Sequence, residues 1–189
     1  MIIPQKHEND VILSDKDYPV DIYFCYTERE ILECFAYVID DIDILGGWYT
    51  SGFDLPYIME RAIVCFGEEK AKELFCRNGF KARRRDFINE NGQDVWEWTL
   101  VGRQHIDLMQ IYKKFVPKER DFSLDAVVRD ELGLEKIHYE DDLGTLYREN
   151  PQKFFEYSLH DARLLLLLDQ KLKLVAQAVM IARSACVMP

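Results

Sequence analysis

Strand-like runs that alternate with helix-like segments are the feature that most constrains how this chain folds. Side chains that are β-branched or aromatic are frequent in three short runs, at residues 20–26, 42–49 and 95–101, and a fourth short run at residues 104–107 is centred on Ile106. Runs of this composition predict strands. Helices are predicted between and after them, from a capping box at Thr27 to about residue 39, and at about 54–66, 68–76, 108–115, 123–132 and 151–183. This alternation predicts an α/β domain.

The segment Asn89-Glu90-Asn91-Gly92 predicts a β-hairpin turn, because Asn-Gly is the strongest short-range signal for one. A hairpin pairs its strands antiparallel, so we expect a mixed sheet. The chain has no internal repeat and no Gly/Ser linker. We therefore expect a single domain over residues 1–189, with the hairpin as an insertion near residues 81–103.

Composition excludes several classes of protein. The 189 residues are 48% hydrophobic and include ten Tyr, eleven Phe and three Trp, which is typical of a packed core and not of a disordered chain. No apolar run approaches the roughly 20 residues of a membrane span, and Glu8, Asn9 and Asp10 precede any signal-peptide core. Five scattered cysteines without a Cys-x-x-Cys motif argue against structural zinc and disulfides. We expect a cytoplasmic protein without a membrane partner.

The formal net charge is −10, which argues against general binding of duplex nucleic acid, because phosphate contacts need Lys and Arg. It does not exclude a nuclease. Metal-dependent phosphoryl chemistry places carboxylates at the site, and the bound cations carry the positive charge.

The first candidate site is the segment Gly47-Trp48-Tyr49-Thr50-Ser51-Gly52-Phe53-Asp54-Leu55-Pro56-Tyr57. A strand ends there, a turn with glycine follows, and Asp54 stands where a helix begins. A carboxylate at this place could bind a metal ion. An Asp before Leu55-Pro56 is also an ordinary N-cap, and spacing alone favours that interpretation.

The second candidate site lies in the last predicted helix, at Tyr157-Ser158-Leu159-His160-Asp161. Tyr157 and Asp161 are four residues apart and share one helix face, which continues into Leu164, Leu165 and Leu168. A carboxylate beside an apolar stripe is costly unless it is paired or bound to a metal ion. Spacing leaves open whether Asp161 is a ligand or forms an ion pair with Arg163, Arg148 or Lys153.

Carboxylates from separate elements that converge on divalent cations are typical of nucleases. Asp54 and Asp161 could supply oxygen ligands of the kind Mg²⁺ prefers, and Tyr157 could hold the attacking water. Of the four histidines, His105 and His160 have no visible triad partner and are interpreted as solvated or hydrogen-bonded side chains. The basic run at residues 81–85 is more typical of a solvated face than of a DNA contact.

At these segments the sequence resembles the exonuclease domain of family B DNA polymerases, especially the T4-like phage and viral branch. The family's second exonuclease motif, roughly G-[WY]-N-x-x-x-F-D-x-P-Y-x-x-x-R, corresponds to the segment from Gly47 to Tyr57 followed by Arg61. The third motif, Tyr-x-x-x-Asp, corresponds to Tyr157 and Asp161. Residues 106–115 and 123–133 resemble the strand, helix and turn between the two motifs. The order and spacing agree over residues 20–189.

The resemblance implies an RNase H-like (DnaQ-like exonuclease) fold, a mixed sheet flanked by helices. It implies that Asp54 and Asp161 bind Mg²⁺ or Mn²⁺ in a two-metal site, and that Tyr157 orients the nucleophilic water. Tyr49, Phe53 and Tyr57 are the implied DNA-binding residues. The implied activity is 3′→5′ proofreading hydrolysis at a single-stranded DNA 3′ end. The implied partners are the remaining polymerase domains and replication accessory proteins.

Two departures from the family pattern weaken the implied site. Residues 1–26 contain no Asp-x-Glu, the family's first motif, so we expect a domain incomplete at its N-terminus, a weakly held metal pair and little activity for the chain alone. The Asn of the second motif is Tyr49 here. Two other hypotheses therefore remain: a catalytically inactive fragment that serves as a structural or DNA-positioning module of a split polymerase, and a stand-alone RNase H-like nuclease acting on DNA or RNA.

Overall fold

The computed structural model describes residues 19–88, 92–116, 121–135 and 143–185. The elements follow the chain in the order α1 (Glu28–Val38), β1 (Ile44–Gly47), α2 (Asp54–Phe66), α3 (Glu68–Leu74), β2 (Arg83–Ile88), β3 (Asp94–Thr99), β4 (Gln104–Asp107), α4 (Leu108–Tyr112), α5 (Leu124–Leu132), α6 (Leu143–Glu149), α7 (Pro151–Leu172) and α8 (Leu174–Ser184). Within the described ranges, one compact unit holds residues 25–115 and 175–185, and a second holds residues 19–24 and 116–174.

Strand pairing in the first unit gives two small sheets. β1 lies parallel to β4, with Gly47 opposite Asp107, and β2 pairs antiparallel with β3, with Phe87 opposite Val95. The α/β class and the hairpin pairing predicted from the sequence are confirmed; residues 89–91 of the hairpin turn lie outside the described residues. The larger RNase H-like sheet stays a prediction.

The strand predicted at residues 20–26 is wrong, because residues 19–25 are irregular and no described strand pairs with them. A β-branched and aromatic run becomes a strand only where a neighbour takes up its backbone hydrogen bonds. The helix after it begins as predicted. The Thr27 hydroxyl accepts the Glu30 backbone N–H at 3.2 Å, and the Glu30 carboxylate accepts the N–H of Thr27 at 3.3 Å, which completes the capping box.

Apolar side chains of α1, α2, α3 and β3 form the core of the first unit. Met59 and Ala62 on α2 are fully buried, as is Ala71 on α3. Phe75 packs against Phe35 with ring centroids 5.7 Å apart. This packing fixes α2, the helix that begins at Asp54.

The regular elements of the second unit are helices in its described residues, whereas residues 19–24 are irregular. The predicted helix 151–183 is two helices, because Lys173 takes a left-handed conformation (φ 58°) that ends α7. Asn150 caps α7 and Pro151 is its first residue, as the sequence indicates. The sequence did not predict α6, whose Leu146 is buried and whose Tyr147 ring lies 5.3 Å from that of Phe154.

None of the described helices is long and apolar enough to cross a membrane.

One buried carboxylate fixes the connection between β1 and α2. Asp107, at the end of β4, is only 6% exposed. Its Oδ1 accepts the backbone N–H groups of Tyr49 and Met109 at 3.1 Å and of Gln110 at 3.4 Å, and its Oδ2 accepts that of Ser51 at 3.1 Å. Asp107 therefore caps α4 and holds the turn after β1 at the same time.

His105 holds the same turn at a second point. Its Nε2 lies 2.8 Å from the hydroxyl oxygen of Thr50, within hydrogen-bond distance. Burial lowers the pKa of the His105 imidazole below its ordinary value, while the carboxylates of Asp107, Asp54 and Glu97 act in the opposite direction. The sequence interpretation of a hydrogen-bonded histidine is confirmed for His105.

Substituting Asp107 by Ala should lower the free energy of unfolding by about 3 kcal/mol, because backbone N–H groups lose a charged acceptor. Asp107→Asn should cost less, since its amide oxygen can still accept. Urea unfolding measures both. The control is Asp94→Ala at the exposed start of β3, which should change stability by less than about 0.5 kcal/mol. Equal losses in the Asp107 and Asp94 variants would contradict the assignment.

Removing His105 should change how stability depends on pH. Because the pKa of His105 is lowered in the folded state, the unfolded chain binds the proton more readily than the folded chain. The contribution of the neutral His105 to the free energy of unfolding is therefore present above the ordinary pKa of 6.5 and is lost as the pH falls below it. The difference in unfolding free energy between wild type and His105→Gln should therefore shrink from pH 7.5 to pH 5.5. Urea unfolding at the two pH values tests this, and a difference that grows towards low pH would refute it.

Candidate functional site

Asp54 is the first residue of α2. The N-cap position belongs to Phe53, and no side chain caps the helix there, so the N-cap interpretation of Asp54 is wrong. The carboxylate is exposed and lies at the positive end of the helix dipole, which favours a negative charge. The Asp54 carboxylate is thus accessible to a ligand from solvent.

Three residues that are close to Asp54 in the sequence have exposed aromatic side chains. Phe53 is 65% exposed and Tyr57 is 57% exposed, and their rings stack with centroids 6.3 Å apart and planes at 7°. Tyr49 is 50% exposed. The three residues predicted from the family resemblance to bind DNA therefore lie at the surface, where planar bases could stack on them.

Tyr49 has a left-handed backbone conformation, with φ 59°. This conformation is costly for a bulky residue and easier for Asn, the residue the family motif has here. The Tyr49 ring lies against Gly52, where an added Cβ would come within 2.5 Å of the ring carbon Cζ. A side chain at position 52 would therefore require the Tyr49 ring to move away.

Arg61, the last residue of the second motif, fastens α2 to α1. Its Nε and Nη2 donate to the two carboxylate oxygens of Glu28, each at 2.5 Å. These hydrogen bonds lower the pKa of Glu28 and raise that of Arg61. Arg61 thus has a structural role here, which its position in the motif did not reveal.

Tyr157 and Asp161 lie on α7, both partly buried. As predicted, their helix face continues into the buried side chains of Leu164 and Leu168. Oδ1 of Asp161 is buried. Whether Asp161 is a metal ligand or part of an ion pair stays open. His160 lies 3.3 Å from the backbone carbonyl of Glu135, so it is a hydrogen-bonded histidine as expected.

The predicted site residues fall into both units. Asp54, Tyr49, Phe53 and Tyr57 belong to the first unit, and Tyr157 and Asp161 to the second. The meeting of Asp54 with Asp161 stays a prediction. Within the described ranges, no group of three or more His, Cys, Asp and Glu side chains could hold a metal ion. Carboxylate oxygens nevertheless match the preference of Mg²⁺, and the exposed Asp54 fits a ligand role.

Basic side chains of residues 81–85, beside the hairpin, form ion pairs with nearby carboxylates. Lys81 pairs with Glu69 at 2.7 Å, and Arg84 pairs with Asp86 at 3.1 Å while its guanidinium lies 4.6 Å from the Trp96 ring centre. This arrangement agrees with a solvated face.

The sequence did not single out the residues that hold the second motif in place. Asp107 and His105 lie in β4, and Thr50 lies in the turn that they hold. The sequence offered one signal: residues 105 and 107 are two positions apart in a predicted strand and therefore share a strand face.

A cleft of about 470 Å³ opens beside this turn. It is lined by residues of β3, β4 and the loop between them, together with Ser51. His105 is one of the lining residues.

Comparison with known proteins places these features in a family. Residues 2–127 match the model of the exonuclease domain of DNA polymerase family B. The chain is 30% identical over 129 residues to the DNA-directed DNA polymerase of Escherichia phage RB69, covering 68% of this chain and 14% of the phage protein. It is 29% identical over 120 residues to that of Enterobacteria phage T4, covering 62% and 13%.

A cellular relative matches over a longer stretch. The chain is 30% identical over 177 residues to the DNA polymerase delta catalytic subunit of Arabidopsis thaliana, covering 87% of this chain and 16% of the plant protein. The chain thus spans less than a fifth of the length of these relatives. These matches show that this chain belongs to the family of exonuclease domains of family B DNA polymerases.

Proposed function

We propose that this chain supplies a 3′→5′ exonuclease site to a family B DNA polymerase. The reaction is metal-dependent hydrolysis of the 3′-terminal phosphodiester of single-stranded DNA, which releases a nucleoside 5′-monophosphate. The observation that carries the proposal is the exposed carboxylate of Asp54 at the start of α2, free of any capping role and flanked by exposed aromatic rings.

Each predicted site residue has a role in this proposal. The carboxylates of Asp54 and Asp161 hold Mg²⁺ or Mn²⁺, and the Tyr157 hydroxyl orients the attacking water. Divalent ions at such a site activate water and neutralise charge on the phosphoryl group. The partly apolar surroundings of Asp161 favour cation binding, because a carboxylate beside buried leucines is stabilised by a bound positive charge.

The surface around Asp54 suits single-stranded DNA. Phe53, Tyr57 and Tyr49 offer exposed ring faces, and base stacking on aromatic side chains contributes about 1–3 kcal/mol per base. A net charge of −10 disfavours binding that depends on many phosphate contacts. The proposed partners are the 3′ end of a single strand, the other domains of a polymerase and replication accessory proteins.

A second candidate function is a non-catalytic module that positions DNA within a polymerase. Within the described residues, no cluster of three or more potential metal ligands is present, and this observation favours the second candidate.

Calorimetric titration of the chain with Mn²⁺ distinguishes the two candidates. Asp54→Asn and Asp161→Asn should each weaken Mn²⁺ binding by about tenfold or more, since each removes a charged ligand. Asp94→Asn, at the exposed start of β3, is the matched control and should bind as wild type. Identical titrations of wild type, Asp54→Asn and Asp161→Asn would support the non-catalytic module.

Hydrolysis of a labelled single-stranded DNA tests the activity itself. Because residues 1–26 contain no Asp-x-Glu, the assay joins a strand with that motif to the N-terminus of the chain. Asp161→Asn should reduce the Mg²⁺-dependent rate by about 100-fold or more, and Asp94→Asn should not. Single-stranded RNA serves as the competing substrate. A rate that is unchanged in Asp161→Asn would rule out the proposed site.

A further inference from the structure

Strand β4 holds the turn between β1 and α2 with two side chains of one face. Residues 105 and 107 are two positions apart in a strand, so their side chains point the same way. Asp107 binds the backbone N–H groups of Tyr49 and Ser51, whereas His105 reaches the side chain of Thr50 between them.

Thr50 links His105 to the first turn of α2. The backbone carbonyl of Thr50 accepts the N–H of Leu55 at 3.0 Å, and Leu55 directly follows Asp54. The Thr50 methyl group lies against Gly47, where an added Cβ would come within 2.3 Å of it. The side chain is therefore confined between Gly47 and His105.

The bond from His105 adds a constraint that Asp107 does not supply. Asp107 fixes backbone N–H groups at positions 49 and 51, which lie before the start of the helix. The Thr50 side chain and carbonyl carry the constraint forward to the amide of Leu55. The contact from His105 to Thr50 therefore constrains the backbone at Leu55, the residue that directly follows Asp54.

We propose that His105 is a positioning residue for the exonuclease reaction, acting through the Thr50 hydroxyl to fix the carboxylate of Asp54. This inference rests on the proposed function of Asp54 as a metal ligand. Groups that orient a ligand from behind are commonly worth 10- to 100-fold in metal affinity.

Mn²⁺ titration of the 189-residue chain tests the coupling. His105→Phe and Thr50→Val each remove the polar contact and keep most of the shape, and each should weaken Mn²⁺ binding about tenfold. The double variant should be no weaker than either single one, because both remove the same contact. His105→Gln, whose amide can reach the Thr50 hydroxyl, should restore binding to within about threefold of wild type.

Amide hydrogen exchange supplies a readout that does not depend on metal binding. Exchange at Leu55 should accelerate about tenfold in His105→Phe and Thr50→Val and return towards wild type in His105→Gln. Amides of α5 and α7 report general loss of stability and should be unchanged. Thr99→Val, at the exposed end of β3, is the matched control and should alter neither measurement.

The outcomes separate this inference from the proposed function. Mn²⁺ binding that is lost in Asp54→Asn but intact in His105→Phe would overturn the positioning role and leave the exonuclease proposal standing. Unchanged exchange at Leu55 in both His105→Phe and Thr50→Val would overturn the positioning role whatever the metal result. A third outcome is that exchange at Leu55 accelerates in His105→Phe and Thr50→Val, but Mn²⁺ binding is the same in Asp54→Asn as in wild type. This result would confirm the structural contact between His105 and Thr50. It would refute the metal site, and with it the proposed role of His105 in the reaction.

Discussion

The acceptance of four backbone N–H groups by the buried carboxylate of Asp107 is the interaction on which the site region depends. A buried charge is costly unless it is well hydrogen-bonded, and here each hydrogen bond also orders a chain segment. Two N–H groups belong to the turn after β1 and two to the start of α4. The parallel pairing of β1 with β4, which sets Gly47 opposite Asp107, brings the two segments together.

This arrangement leaves Asp54 available for chemistry. The turn before α2 is held by side chains of β4, and the helix body is held by the packing of Met59 and Ala62 in the core. The Asp54 carboxylate is needed for neither task. In the proposed function, cations held by carboxylates such as Asp54 would offset the negative charge of the chain at a bound nucleic acid. The exposed rings of Phe53 and Tyr57 offer contacts that require no positive charge.

Features set by neighbours in sequence were predictable, and those set by distant contacts were not. The capping box at Thr27, the helix start at about residue 151 and the β2–β3 pairing follow from local rules, and all three are confirmed. The strand predicted at residues 20–26 failed because a strand needs a partner from elsewhere in the chain. The left-handed Lys173 that divides α7 from α8 carries no glycine or proline signal.

By itself, the sequence determined the family, which the match over residues 2–127 shows, and it predicted Asp54, Tyr157 and Asp161 as candidate site residues. Only the tertiary structure decided how the start of α2 at Asp54 is held in place. It showed that Asp54 is not a helix cap, and that the buried Asp107 and the lone His105 hold the turn before it. The physical reason is that a hydrogen bond between residues more than 50 positions apart depends on strand pairing, which no local pattern encodes.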